Sequence, residues 1–168
     1  RALKRFENQL GKALAKAEKA KAKWKSIEKV IETVAEATGK HLIVLEGVLE
    51  KVPEKVKDKI AKAKEVSIVG QKNALRALAI ENPERATAIN LEAAEARLIR
   101  AKVKAEVGEI EEVEEAINEF EGQYKFGEEI SQIAQGVGKD TTLVEQLVGE
   151  ATAIHLKVLA EVYEKVPE

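Results

Sequence analysis

The chain of 168 residues contains no cysteine and no methionine. This absence excludes disulfide bonds, thiolate nucleophiles, cysteine metal sites and sulfur redox chemistry. Aromatic residues make up only 4% of the sequence, so Leu, Ile, Val and Ala must form most of the core. No apolar stretch approaches the length of a membrane-spanning helix, and membrane insertion is therefore not expected.

Charged residues make up 35% of the chain and the net charge is −2. Glu and Lys dominate this set; both favour helices, and their abundance is typical of hyperthermophiles. A nearly balanced charge gives no general attraction to nucleic acid or to an anionic membrane. Because the chain begins at Arg1 and not at Met, a trimmed or mature fragment is expected, and both a cytoplasmic and an exported location stay open.

Apolar positions recur every three or four residues, a spacing that places them on one face of a helix. In the second helix this stripe consists of Ile27, Val30, Val34, Thr38, His41, Leu45, Val48 and Val52. Applied along the chain, the test predicts six helices at about 2–23, 26–51, 54–80, 83–106, 109–136 and 140–165. The sequence therefore predicts an all-α fold.

Local residues support these helix boundaries. Prolines are expected in first helical turns, where no N–H is needed, and they occur at Pro53, Pro83 and Pro167. Pro167 would open a seventh helix. The predicted N-caps are Ser26, Asn82 and Asp140, and the predicted stops are Gly108, Gly136 and Gly138.

An internal repeat is the strongest signal. Residues 36–54 align without gaps to residues 150–168, with 13 identities in 19 positions. The same offset of 114 places 2–9 on 116–123. We therefore predict repeat copies at 1–54 and 115–168, linked by helices 54–80 and 83–106 within a single domain 1–168. Since the first copy continues past the point that matches Glu168, the natural protein is expected to run on.

Helical repeats bury each hairpin against its neighbours. The leading architecture is therefore a short alpha-solenoid of stacked antiparallel hairpins. A closed helical bundle is the alternative, because the same periodicities allow it.

Two stretches, 41–75 and 89–120, resemble an uncharacterised all-helical family, a domain of unknown function seen mainly in hyperthermophilic archaea. The resemblance depends on the pattern HLxVLxxVxEKVPE, which begins at His41. It implies a helical fold and no known activity. Some similar proteins are exported or associated with the cell envelope.

His41 and His155, the only histidines, occupy equivalent positions in the two copies. A helical metal site needs a second ligand three or four residues away, and near His41 those positions hold Ala37, Thr38 and Leu45. Each histidine is therefore predicted to pack in the apolar stripe as a neutral ring. A His/Glu metal-binding bundle stays an alternative.

The serines show no nucleophile elbow and no nearby histidine, and the glycines do not form a phosphate-binding loop. The glutamates at 109–115 are typical of a solvated helix face. No catalytic residue, no metal site and no cofactor is predicted, and the chain is not expected to be an enzyme.

Charge is distributed unevenly. Residues 1–25 carry nine basic and two acidic side chains, whereas residues 106–129 carry ten acidic and one basic. A solvated face is one interpretation; docking on a protein partner or on a second copy is the other. The expected contacts are Lys12, Lys16, Lys19 and Lys23. Nucleic acid is not an expected partner, because base-stacking aromatics and arginines are few.

These observations predict a non-enzymatic helical repeat that acts as a scaffold or protein–protein interaction module. The alternative without binding function is a structural spacer in a larger exported protein.

Overall fold

The computed structural model describes residues 8–9, 11–13, 15–16, 19 and 27–166, and all regular secondary structure within them is helical. The all-α prediction is confirmed. Five helices follow residue 27, and each begins and ends within two residues of its predicted bounds: α1 Glu28–Leu49, α2 Glu54–Glu81, α3 Pro83–Val107, α4 Ile110–Gly136 and α5 Thr142–Tyr163. The predicted helix 2–23 falls only in part on described residues, and the Ser26 cap and the helix at Pro167 lie outside them.

The ends of α3 match the sequence signals. Pro83 occupies the first turn, and the side chain of Asn82 accepts a hydrogen bond from the backbone N–H of Arg85 at 3.0 Å. Gly108 follows the last turn with φ 77°, a left-handed conformation that glycine adopts without steric cost. Both predictions are confirmed.

The connection from α4 to α5 differs in one residue from the prediction. α4 ends at Gly136, and Gly138 takes φ 75°. Asp140 does not cap α5, because the cap residue is Thr141. Instead, the Asp140 carboxylate accepts hydrogen bonds from the backbone N–H and the hydroxyl of Thr142, at 2.9 and 2.7 Å, and these bonds lower its pKa. The predicted Asp140 cap is therefore wrong, and Asp140 stabilises the turn that precedes α5.

The chain folds into two compact units, residues 1–81 and residues 82–168. Unit 1 contains α1 and α2, and unit 2 contains α3, α4 and α5. The boundary falls between the two helices that the repeat assigns to the link between its copies. The single domain expected from the sequence stays a prediction, as does the solenoid.

Within unit 1, α1 and α2 pack against each other and are joined by a short connection at 50–53. Pro53 lies directly before the first residue of α2. α1 buries Ile31, Val34, Ala35, Thr38, Leu42 and Glu46. The predicted stripe is therefore wrong for Val30, His41 and Val48, which are exposed. The buried stripe keeps Val34 and Thr38, and its centre is rotated from that of the predicted stripe by roughly 65° around the helix axis.

The contact between α1 and α2 is close and partly polar. A Cβ at Gly39 would lie 2.8 Å from the Gln71 side-chain nitrogen, so a larger residue there would displace that buried amide. Glu46 and Lys64 form a buried ion pair at 3.7 Å. Such a pair helps to fix which faces meet.

In unit 2, α3 packs against both α4 and α5. The side of α3 that faces them consists mostly of small residues, which lets the helices approach closely. The core residues of this contact include Ala94, Leu98, Ala101 and Ala105 of α3, with Val113, Ala116 and Phe120 of α4. The antiparallel pair α3–α4 thus forms an apolar groove that α5 fills.

Candidate interaction surface

α5 packs into the α3–α4 groove with one helical stripe. Val158 and Leu159 contact the cluster that contains Leu98 and Phe120. One turn further along, Val162 belongs to the cluster formed by the last alanines of α3 and the start of α4. The stripe is therefore a continuous docking face along the helix.

His155 lies in the middle of this stripe and is only 3% exposed. Its ring meets Phe120 edge to face, with centroids 5.3 Å apart. Burial lowers its pKa, and the charge of Glu95 partly opposes this shift. The neutral ring thus acts as a packing residue, as the sequence predicts, although its buried Nδ1 has no hydrogen-bond partner.

Part of the α5 docking face recurs without change in the first copy. At the repeat offset of 114, eight positions of α5 and of the turn after it that contact or line the α3–α4 pair have identical counterparts in α1 and in the connection after it, whereas Glu145, Gly149 and Glu161 have different ones. These pairs are Val144 and Val30, Val148 and Val34, Thr152 and Thr38, His155 and His41, Val158 and Val44, Leu159 and Leu45, Val162 and Val48, and Val166 and Val52. We call these eight positions the docking stripe, and the first copy repeats all of them.

In α1, half of this stripe faces solvent. Val44 is 62% exposed, Val30 and Val48 are each 37% exposed, and His41 is also exposed. We call these four residues the α1 outer face. The prediction that His41 packs in the core is wrong, because α1 turns a neighbouring face towards α2. Partial shielding still lowers the pKa of His41, but exposure to solvent limits the effect.

The residues that differ between the copies explain this rotation. In α1, Ile31 and Ala35 are apolar and buried. In α5, the same positions hold Glu145 and Gly149, which are exposed. The two helices thus share one apolar face, and only α1 has a second one. Val44 is absent from the predicted stripe, although its identity with Val158 of the second copy indicates a position on the docking face.

The predicted basic surface falls partly on described residues. Lys12, Lys16 and Lys19 are helical and exposed, and Lys23 lies outside the described residues. Spacings of three and four place these lysines on one side of a helix.

The acidic run at 106–129 is partly neutralised within unit 2. Basic residues at 97–104 of α3 form ion pairs with glutamates of α4, of α5 and of the α3–α4 turn. These pairs include Arg97 with Glu119 at 3.1 Å, Arg100 with Glu115 at 3.4 Å, Lys104 with Glu109 at 2.5 Å and Lys102 with Glu161 at 2.6 Å. Lys165 pairs with Glu106. Less negative charge is therefore available to a partner than the sequence alone indicates.

No cluster of three or more His, Asp or Glu side chains suited to a metal ion occurs among the described residues. His41 and His155 lie in different units. None of the described helices combines the length and apolar character needed to cross a membrane.

No protein-family model, no curated protein and no solved structure matches this chain. The resemblance of 41–75 and 89–120 to an uncharacterised archaeal family therefore stays a prediction.

Proposed function

We propose that this protein is a non-enzymatic helical repeat scaffold that binds proteins through the α1 outer face. The observation that carries this proposal is the identity of the eight docking positions in the two copies, half of which are exposed in the first copy. Exposed apolar residues in one row are a common mark of a protein interface. The same row already packs against a helix pair elsewhere in this chain.

The partner that fits this face is an antiparallel helix pair of the α3–α4 type. α5 provides the template, because its identical residues fill a groove lined by alanines and bounded by Phe120. In a complex with such a partner, Val44 would occupy the position that Val158 occupies against α3–α4. Another copy of this chain carries such a groove, and we take it as the reference partner.

The energy available from this face is modest. Burying a complete valine side chain contributes about 1.5–3 kcal/mol, and the three valines of the α1 outer face are already partly buried. Association costs about 4–15 kcal/mol in lost freedom of motion. A single face should therefore bind weakly, and several repeats acting together should bind well. This behaviour suits a scaffold.

A test is possible with the full-length chain. In the wild-type protein α5 occupies the groove within its own molecule, so the groove must first be opened. Val158→Lys places a charge in the α5 docking stripe and should weaken this contact. We then expect α1 of one molecule to enter the groove of another, and light scattering after size exclusion should show oligomers.

The control variants lie side by side on α1. Val44→Lys added to Val158→Lys should restore the monomer, because it removes the docking face. Ile43→Lys should leave the oligomers intact. Ile43 is similarly exposed, at 54%, but lies about 100° around the helix, and α5 has Lys157 at the equivalent position. The proposal would be contradicted by oligomers that persist after Val44→Lys is added, or by a Val158→Lys variant that stays monomeric.

A further inference from the structure

Unit 2 contains a cavity of about 410 Å³, open to solvent on one side, between α3, α4 and the first half of α5. Small-molecule sites are clefts or cavities that commonly have volumes of about 300–1,000 Å³. The lining residues are Thr87, Asn90, Leu91, Tyr124, Gly127, Glu128, Ser131, Val144, Glu145, Val148 and Gly149. The cavity is thus of ligand size and mostly apolar.

The two repeat copies differ at this cavity as a group. Eight lining residues belong to the second copy, and six of them replace an apolar residue of the first copy by a polar one or by glycine. The pairs are Leu10 and Tyr124, Ala13 and Gly127, Leu14 and Glu128, Ala17 and Ser131, Ile31 and Glu145, and Ala35 and Gly149. The other two lining residues of the second copy, Val144 and Val148, belong to the docking stripe and are identical in both copies. This contrast indicates that the cavity has a role that the first copy does not share.

Glycine keeps two walls of the cavity open. A Cβ added at Gly149 would meet no atom within 4 Å. At Gly127, an added Cβ would lie 3.2 Å from the amide nitrogen of Asn90, which donates a hydrogen bond to the backbone oxygen of Gln123. A larger residue at either position would fill space or disturb this polar contact.

The charged side chains that line the cavity are both negative. Glu128 and Glu145 are exposed at the cavity, and no Lys or Arg lines it. One oxygen of Glu145 also accepts a bond from the Thr141 hydroxyl at 3.3 Å. The wall further contains Thr87, whose buried hydroxyl has no hydrogen-bond partner. Buried polar groups in native proteins are nearly always paired, so this hydroxyl also indicates a site suited to a polar ligand atom.

From these observations we infer that the cavity binds a small hydrophobic amine. The apolar residues Leu91, Val144 and Val148 would bury the hydrocarbon part of the ligand. The carboxylates of Glu128 and Glu145 would face the ammonium group, and the Tyr124 ring could add a cation–π contact. An anionic ligand would be repelled by both carboxylates.

The test compares three probes of equal chain length on the full-length protein: hexylammonium, hexanol and hexanoate, each titrated by calorimetry. Hexylammonium should bind about two- to thirtyfold more tightly than hexanol, since this is the range that two exposed ion pairs contribute. Hexanoate should bind more weakly than hexanol. Equal binding of hexylammonium and hexanol, or no saturable binding of hexylammonium, would overturn the inference.

Two sets of variants locate the site. Glu128→Gln combined with Glu145→Gln should abolish the preference for the amine. Glu114→Gln combined with Glu121→Gln, on exposed positions of α4 outside the cavity, should preserve it. Gly149→Leu should fill the cavity and remove hexylammonium binding, with folding checked by circular dichroism. Binding that survives Gly149→Leu in a folded protein would place the amine elsewhere and refute this site.

Discussion

Replacing His155 by Leu should change the pH dependence of stability in a defined direction. In the folded protein the ring is buried against Phe120 and its pKa is lowered. In the unfolded chain its pKa is about 6.5. Because the folded state resists protonation, the stabilisation is complete above about pH 6.5 and is lost as the pH falls towards the folded-state pKa.

The magnitude follows from proton linkage. Between the two pKa values the unfolded state binds one more proton, so the free energy of unfolding falls by up to about 1.4 kcal/mol per pH unit. Urea unfolding between pH 7.5 and pH 5.5 measures this slope and avoids most carboxylate titration. We expect His155→Leu to remove the larger part of it. At pH 7.5 the two proteins should differ little, because Leu loses the ring contact, worth about 0.5–1.5 kcal/mol, but also removes the unpaired Nδ1.

His41→Leu is the matched control, since His41 occupies the equivalent position on the exposed α1 outer face. Its pKa is lowered as well, but solvent screens this effect. The His41→Leu protein should therefore keep most of the wild-type slope. If His155→Leu retains the wild-type pH dependence, or if His41→Leu abolishes it, the reasoning from burial is refuted.

Three further predictions concern stability and association. Gly149→Ala should raise the free energy of unfolding by about 0.5–1 kcal/mol, because alanine favours the helix over glycine and the added Cβ meets no atom within 4 Å. A lower urea midpoint would show that the space beside Gly149 cannot accommodate a Cβ. Glu46→Ala should lower the free energy of unfolding by about 1.5–3 kcal/mol, because Lys64 loses a buried contact with a charged group. A loss below about 1 kcal/mol in urea unfolding would mean that solvent screens the pair. Replacing Lys12, Lys16 and Lys19 by Glu should abolish any oligomer that forms at low salt and dissociates at high salt, since salt shortens the range of charge attraction. Light scattering at both salt concentrations measures the oligomeric state. An oligomer that persists in the variant would argue against docking through the basic helix.

Much of the local structure could be predicted from the sequence because it depends on neighbouring residues. The bounds of α3 follow from Asn82, Pro83 and Gly108, each of which fixes the backbone within one turn. The Asp140 cap was displaced because an aspartate close to a helix start can bond the next residues in more than one way.

The candidate site was only partly predictable. The spacing correctly predicts that His155 lies in a buried stripe. The same spacing predicts that His41 is buried, but His41 is exposed in the structure. Glu128 and Glu145 lie on different helices, and neither spacing nor composition brings them to one cavity.

What the sequence by itself determined is the helical class and the bounds of the described helices to within two residues, because propensity and capping act over short distances along the chain. Which face of a helix is buried was decided only in the tertiary structure. α1 and α5 carry the same docking stripe, yet α1 packs against α2 through its neighbouring face, while α5 packs against α3 and α4 through the stripe itself. Burial depends on the surface that a neighbouring helix offers, and that neighbour differs for the two copies.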